Sequence, residues 1–157
     1  MTARVWVADR LEAETVSCLL VSFRNYMGRD WPSDNAFLAG VERLIETPDC
    51  EFLLGSADAD SPPAAVCQIR FRHGLWLAAP DCWLEDLFVE DSVRRSGLGR
   101  SLVEFAIERA EERGCRRIEL DVSDANEAGI SLYQSLGFVA KSAPSSDLLL
   151  GRRIGSD

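Results

Sequence analysis

One histidine, His73, and one lysine, Lys141, are all that the 157 residues hold of those two types. A single histidine rules out zinc ligand sets that need two or more histidines, and the five cysteines (Cys18, Cys50, Cys67, Cys82 and Cys115) lack the spacing of a cysteine-rich set, with no C-x-x-C pair. No metal is therefore expected, and the thiols read as free. His73 falls in "RFRHGLW", near the end of an expected strand, and is expected to have no catalytic role. No apolar run approaches the roughly 18 residues that a membrane span requires. The first ten residues carry charges and no hydrophobic segment of a secretory signal, so the expected location is cytoplasmic, with no membrane partner. A basic stripe is also missing. The formal charge is −9 and the acidic residues are spread along the chain, which argues against a nucleic-acid partner and favours, if anything, a cationic one.

The length fits a single domain, expected over 1–157, with a real hydrophobic core. Strand composition at Ala3–Asp9 gives way to helical spacing at Val16, Leu19, Leu20, Phe23 and Met27, with Asp9 and Glu12 as a capping box and Gly28 as a stop. Ser33 is placed to cap a second helix whose apolar face is Phe37, Leu38, Val41, Leu44 and Ile45. "CEFLLGSA" and "AAVCQIRFRHG" read as two strands joined by the turn "DADSPP", a hairpin, and "CWLEDLFVED" as a third. A helix then shows Leu98, Leu102, Val103, Ala106, Ile107 and Ala110 on one face and stops at Gly114. "RRIELDVS" alternates Ile118, Leu120 and Val122 as a strand, a helix covers about Asn126 to Leu136 before Gly137, and two short strands are expected near "FVAKSA" and "DLLLGRR". The pattern is α/β, a mixed sheet flanked by helices.

"VRRSGLGRSLVEFA" carries the chemistry. A strand feeding a helix at Gly97 brings several unpaired backbone N–H groups to one point, with glycines at 97 and 99 and arginines at 94, 95 and 100. A Walker loop needs Gly-Lys, which is absent, and a dinucleotide fingerprint needs glycine where Leu102 stands. On the residues alone the corner is either a plain tight turn or a pyrophosphate loop of another type.

The run from Trp83 to Phe138 resembles the core of the GNAT N-acetyltransferase superfamily. Arg94, Gly97 and Gly99 match its Q/R-x-x-G-x-G/A acyl-CoA signature, and "NEAGISLYQSLGF", Asn126 to Phe138, matches its second motif. The resemblance implies a central mixed, mostly antiparallel, twisted sheet of about seven strands with about four helices. It implies acetyl-CoA as co-substrate, with its pyrophosphate on N–H groups of Arg95, Ser96, Gly97, Leu98, Gly99, Arg100 and Ser101. The pantetheine arm would lie along Leu87, Phe88 and Val89, beside a strand bulge, with a backbone N–H polarising the thioester carbonyl.

Tyr133 matches the family's frequent general acid for the leaving thiolate, although packing beside Leu132 and Leu136 accounts equally for a tyrosine there. Asn126 matches a position that often contacts the cofactor, and also reads as a helix cap. For the base, Glu85 is preferred to Asp86, since alternation lets only one side chain reach the cleft. The alternative for Glu85 is an ion pair with Arg70 or Arg72. Tyr26, Asp30, Trp31, Trp76 and Asp86 are candidates for the acceptor side. The reaction implied is direct transfer to a primary amine of a small molecule, without a covalent enzyme intermediate. Acceptors on a protein N-terminus or lysine, and a non-catalytic acyl-CoA sensor, are the rivals. An apolar edge at "DLLLGRRI" points to a homodimer.

Overall fold

The computed structural model describes residues 2–140 and 150–155, which fall into two compact units, Met1–Asp121 and Val122–Asp157. In the first unit the order is β1 (Arg4–Val7), α1 (Ala13–Tyr26), α2 (Asp34–Leu44), β2 (Cys50–Ser56), β3 (Ala65–Gly74), β4 (Ala79–Val89), α3 (Leu98–Glu112) and β5 (Ile118–Glu119). The second unit holds α4 (Glu127–Ser135). The five strands form one sheet in sequence order, antiparallel from β1 to β4 and parallel between β4 and β5.

Most local signals act as read. The Asp9–Glu12 capping box is present, but it caps a short 3-10 turn, Arg10–Glu12, that leads into α1. Ser33 Oγ accepts from the Ala36 N–H at the start of α2. Gly28, Gly114 and Gly137 each stand two residues beyond the helix they were expected to end. In the β2–β3 turn, Asp58 accepts from the N–H groups of Asp60 and Ser61 and from Ser61 Oγ, which closes the hairpin.

Two expectations are corrected. The strand read over Arg116–Ser123 shrinks to Ile118–Glu119, because β4 pairs with it only at Cys82↔Ile118 and Trp83↔Glu119. Ile118 and Leu120 are only half buried, so the alternation lacked a partner surface to enforce it. The sheet has five strands among the described residues. Of the two final strands, 141–143 and 147–149 lie outside the described residues, and 138–140 and 150–153 carry no strand.

The sheet has two packed faces. Cys50, Phe52, Leu54, Val66 and Phe88 meet Val16, Leu19 and Leu20 of α1 and Val41 of α2. The opposite face receives α3, whose Leu98, Leu102, Val103, Ala106 and Ala110 are buried. Gly55 of β2 lies directly under the first turn of α3, where an added Cβ would come within 2.8 Å of Leu98 Cδ1. That missing side chain lets the start of α3 sit close on the sheet. At its other end α3 is clamped by Glu51, a buried carboxylate on β2. Arg109 Nε donates to Glu51 Oε1 at 2.9 Å and its Nη2 to Oε2, while Arg113 Nη2 reaches Oε2 at 3.2 Å. Burial pushes the Glu51 carboxyl up, but the hydrogen bonds and charges of the two arginines outweigh it and hold it below the usual range. Both ends of α3 are thereby fixed to β2.

Candidate active site

The site begins where β4 and β5 part. Cys82 N–H donates to Arg117 O at 3.0 Å, and the strands pair no further than Trp83↔Glu119. Asp81, buried on β4, pins this junction. Arg117 donates Nη2 to Asp81 Oδ2 at 2.8 Å and Nε to Oδ1 at 3.3 Å, with Arg72 Nη2 3.6 Å away. Burial raises the Asp81 carboxyl, and the hydrogen bond and charge of Arg117, with those of Arg72, outweigh it and lower it. Beyond Trp83, β4 continues to Val89 with β3 on one side and no paired strand on its β5 side among the described residues. Leu87, Phe88 and Val89 lie on this stretch. The Val89 carbonyl accepts from Arg94 Nε at 2.9 Å.

The expected bulge is present and falls on the carboxylates. Ile69 pairs with Leu84 and Gln68 with Asp86, which leaves Glu85 as the extra residue of β4. The bulge changes the alternation argument. Asp86 stands opposite Gln68, whose Nε2 donates to Cys50 Sγ at 3.4 Å on the α1–α2 face. Glu85 Oε1 is 3.9 Å from Arg70 Nη1, and Arg70 pairs with Cys50 itself. The Cys50 thiol feels both Arg70 and Glu85, and Asp86 feels Glu85. Both carboxylates therefore serve one face, where simple alternation allowed one. Glu85 is exposed and its ion pair with Arg70 is long, so the pair anticipated for Glu85 is present but loose. Asp86 is half buried; burial, then the charges of Glu85 and Asp121, push its carboxyl above the usual range. Asp121, just past β5, was not singled out from sequence. Only the parallel course of β4 and β5 brings its charge to bear on Asp86.

At the end of β4 the chain makes a 3-10 turn, Asp91–Val93, and then two left-handed residues, Arg95 at φ 62° and Gly97 at φ 86°. Left-handed residues of this kind turn successive N–H groups toward a common concavity. Ser101 N–H donates to Gly97 O at 3.0 Å, but the N–H groups of Arg95, Ser96, Gly97, Leu98 and Gly99 reach no backbone carbonyl among the described residues. These donors stand at the positive end of the α3 dipole. A Cβ added at Gly97 would meet nothing within 4 Å, so the space in front of the turn is open. Arg95, Ser96 and Arg100 are exposed around it. Such a nest fits a pyrophosphate.

The acceptor-side candidates are not all gathered here. Tyr26, at the end of α1, is exposed and lies 6.2 Å from the Phe88 ring, beside the end of β4. Asp30 and Trp31 are exposed in the α1–α2 loop. Trp76 is fully exposed at the tip of the β3–β4 hairpin, and the stretch from Ala79 to Glu85 alone is about 20 Å of strand at roughly 3.3 Å per residue. It stands apart from the bulge.

In the second unit, Asn126 Oδ1 accepts from the Gly129 N–H at 3.0 Å and so caps α4, as its helix-start position allows. Tyr133 is buried on α4 with its ring edge-on to Phe138, centroids 5.6 Å apart, so its packing role is filled. Among the described residues no group of His, Cys, Asp or Glu is arranged to hold a metal, and no helix is long and apolar enough to cross a membrane.

The sequence profile of the acetyltransferase (GNAT) family matches residues 17–138, a stretch that holds β2 to β5, the nest and α4. The chain belongs to the GNAT acetyltransferase family. A [ribosomal protein bS18]-alanine N-acetyltransferase of Escherichia coli is 44% identical over 55 residues, 35% of this chain and 37% of that enzyme's length. An aminoglycoside N(6')-acetyltransferase type 1 of Salmonella typhimurium is 28% identical over 111 residues, 69% of this chain and 77% of the relative. The solved structure of an aminoglycoside N-acetyltransferase in complex with CoA superposes with a TM-score of 0.78 at 21% identity, covering 98% of this chain and 95% of that one. This GNAT chain thus shares the mixed α/β fold of the family, with a five-stranded mixed sheet and four α-helices among the described residues.

Proposed function

We propose that this GNAT protein transfers an acetyl group from acetyl-CoA directly to a primary amine of a small molecule. The observation that carries the reading is the nest at Arg95–Gly99, following a strand whose β5-side edge is unpaired beyond Trp83 among the described residues. CoA pyrophosphate occupies the nest, and pantetheine lies along Leu87 to Val89, where a backbone N–H polarises the thioester carbonyl. The amine nitrogen attacks that carbonyl; an N–C bond forms and the C–S bond breaks. Asp86 is the better-placed base, because its burial and its acidic neighbours raise its affinity for the proton that the ammonium must lose. Glu85, more exposed at the same bulge, holds the cationic acceptor and is the alternative base. Tyr133 donates its hydroxyl proton to the leaving thiolate and regains one through solvent as the nitrogen sheds its second proton on becoming an amide, an assignment that rests on its place in the second motif, and Asn126 is assigned to the cofactor on the same ground. Tyr26, Asp30 and Trp31 are assigned to the acceptor side.

The aminoglycoside acetyltransferase relative, matched over most of its length, supports a small polycationic acceptor for a site lined by Glu85, Asp86 and Asp121. The shorter but more identical match to the alanine N-acetyltransferase supports a second reading, a protein N-terminus. Thiol release from acetyl-CoA, followed with a panel of aminoglycosides, polyamines and alanine-initiated peptides, decides between them. Turnover with the small amines and none with peptides supports the first reading, and the reverse supports the second. CoA binding without thiol release on any amine returns the sensor alternative.

A further inference from the structure

The side chain of Arg94 is committed within the protein. Its Nε donates to the Val89 carbonyl at 2.9 Å, and its Nη1 pairs with Asp91 Oδ1 at 3.0 Å. Its guanidinium carbon lies 4.2 Å from the centre of the Tyr26 ring and 5.7 Å from that of Phe88. Phe88 in turn stacks on Phe23 of α1 at 5.2 Å, with the rings within 14° of parallel. Arg94 therefore joins three things: the end of β4, the 3-10 turn that precedes the nest, and the last turn of α1. Asp91 already balances its charge. Arg95, the next residue and itself left-handed, is exposed beside the nest.

The α1–α2 segment is held at its other end by a similar device. Arg24 Nη1 donates to Pro32 O at 2.7 Å and to Asp34 Oδ1 at 2.8 Å. The segment carrying Asp30 and Trp31 thus runs between two arginine anchors, Arg24 on the α2 side and, through Tyr26, Arg94 on the nest side.

We infer that Arg94 is a positioning residue which, sandwiched against Tyr26, couples the acceptor-side α1–α2 segment to the phosphate nest, so that affinity for CoA depends on the Tyr26 ring. The inference rests on the CoA reading of the nest and assigns Arg94 a role different from a direct phosphate contact. A direct phosphate contact depends on the positive charge of residue 94, which lysine keeps and methionine does not, and is independent of the Tyr26 ring. The clamp needs a planar fork that donates to Val89 and Asp91 at once while lying on an aromatic face, which lysine cannot supply.

The test is calorimetric titration of CoA into the full-length protein and into Arg94→Lys, Arg94→Met, Tyr26→Phe, Tyr26→Ala and the Arg94→Met/Tyr26→Ala double variant. Thermal melts serve as the folding control, and amide hydrogen exchange is read over residues 94–100 without ligand. The clamp predicts about tenfold weaker binding for Arg94→Lys. It predicts about three- to fivefold weaker binding for Tyr26→Ala, wild-type binding for Tyr26→Phe, and no added loss from Tyr26→Ala on the Arg94→Met background. Exchange over 94–100 speeds up in Arg94→Lys and Tyr26→Ala. Wild-type affinity and exchange in both of these variants, with loss only in Arg94→Met, overturns the inference in favour of a direct charge contact. A wild-type protein that binds no CoA overturns the CoA reading instead, and the exchange measurement then decides the clamp by itself.

Discussion

Substitution of Gly97 separates the shape of the nest from its chemistry. At φ 86° any L-residue with a Cβ is strained, and the left-handed region costs about 1 kcal/mol for alanine relative to glycine. No steric penalty is added, because the new Cβ meets nothing within 4 Å. Gly97→Ala should therefore lose about 1 kcal/mol, a Tm drop of about 2–4 °C for a chain of this size. Gly97→Asn should lose less, since asparagine visits this region more readily. Gly97→Glu carries the same strain but puts a carboxylate into the open space before the α3 N–H groups. On stability it should be no worse than alanine, because a negative charge at a helix N-terminus is favourable. On binding it should be far worse. A unit charge about 4 Å from a phosphate oxygen costs about 1 kcal/mol in water and about 4 kcal/mol at an effective dielectric of about 20, so about 3 kcal/mol, or at least about 100-fold in Kd for CoA, is expected. Calorimetry with CoA and thermal melts on the three variants give both numbers. A Gly97→Glu protein that binds CoA as tightly as Gly97→Ala refutes the placement of phosphate in the nest. An alanine penalty above about 3 kcal/mol refutes the claim that strain alone is at stake.

Asp86→Asn should raise Tm at neutral pH, with the gain shrinking as pH falls below the raised folded-state pKa and gone below the usual aspartate range. The folded-state pKa is raised, so the native carboxylate carries a penalty above that range and none when it is protonated in both states. The same variant should flatten the rise of kcat/KM with pH. Glu51→Gln should cost about 2 kcal/mol at neutral pH in denaturant melts, because it leaves Arg109 and Arg113 facing a neutral partner. The Glu51 carboxyl is held low in the folded state, so its contribution should be present at neutral pH and fade as acid protonates it. Tyr133→Phe should lower kcat by about 10- to 10³-fold with little change in CoA affinity, and an unchanged kcat would remove tyrosine from proton transfer.

Helices α1 and α3 were legible because each carries a glycine stop and a spaced apolar face, such as Leu98, Leu102, Val103 and Ala106 on α3; α2 was legible from its Ser33 cap and apolar face, and α4 from its glycine stop. The β2–β3 hairpin was legible from its turn chemistry. β5 was overread because alternation at Ile118, Leu120 and Val122 records a preference for pairing, whereas pairing itself depends on where β4 departs. The nest was visible as a pattern, but not the commitment of Arg94 to Tyr26 and Val89, since a ring on α1 and a carbonyl on β4 meet only in the fold. Glu85 and Asp86 were found as a pair. Their shared face was not, because a bulge shifts register by one residue without any fixed sequence mark, and Asp121 joins them only through the parallel course of β5. The edge expected to support a dimer lies partly at 147–149, outside the described residues.

The most direct test of the CoA reading is a titration of isotope-labelled protein with CoA, followed at each backbone amide. The account predicts saturable shifts led by the N–H groups of Arg95 to Gly99, with smaller shifts along Leu87 to Val89, because among the described residues these donors reach no backbone carbonyl and this strand edge pairs with no strand on its β5 side. Unshifted amides across Arg95 to Gly99 at CoA saturation, or shifts confined to other parts of the chain, would contradict it.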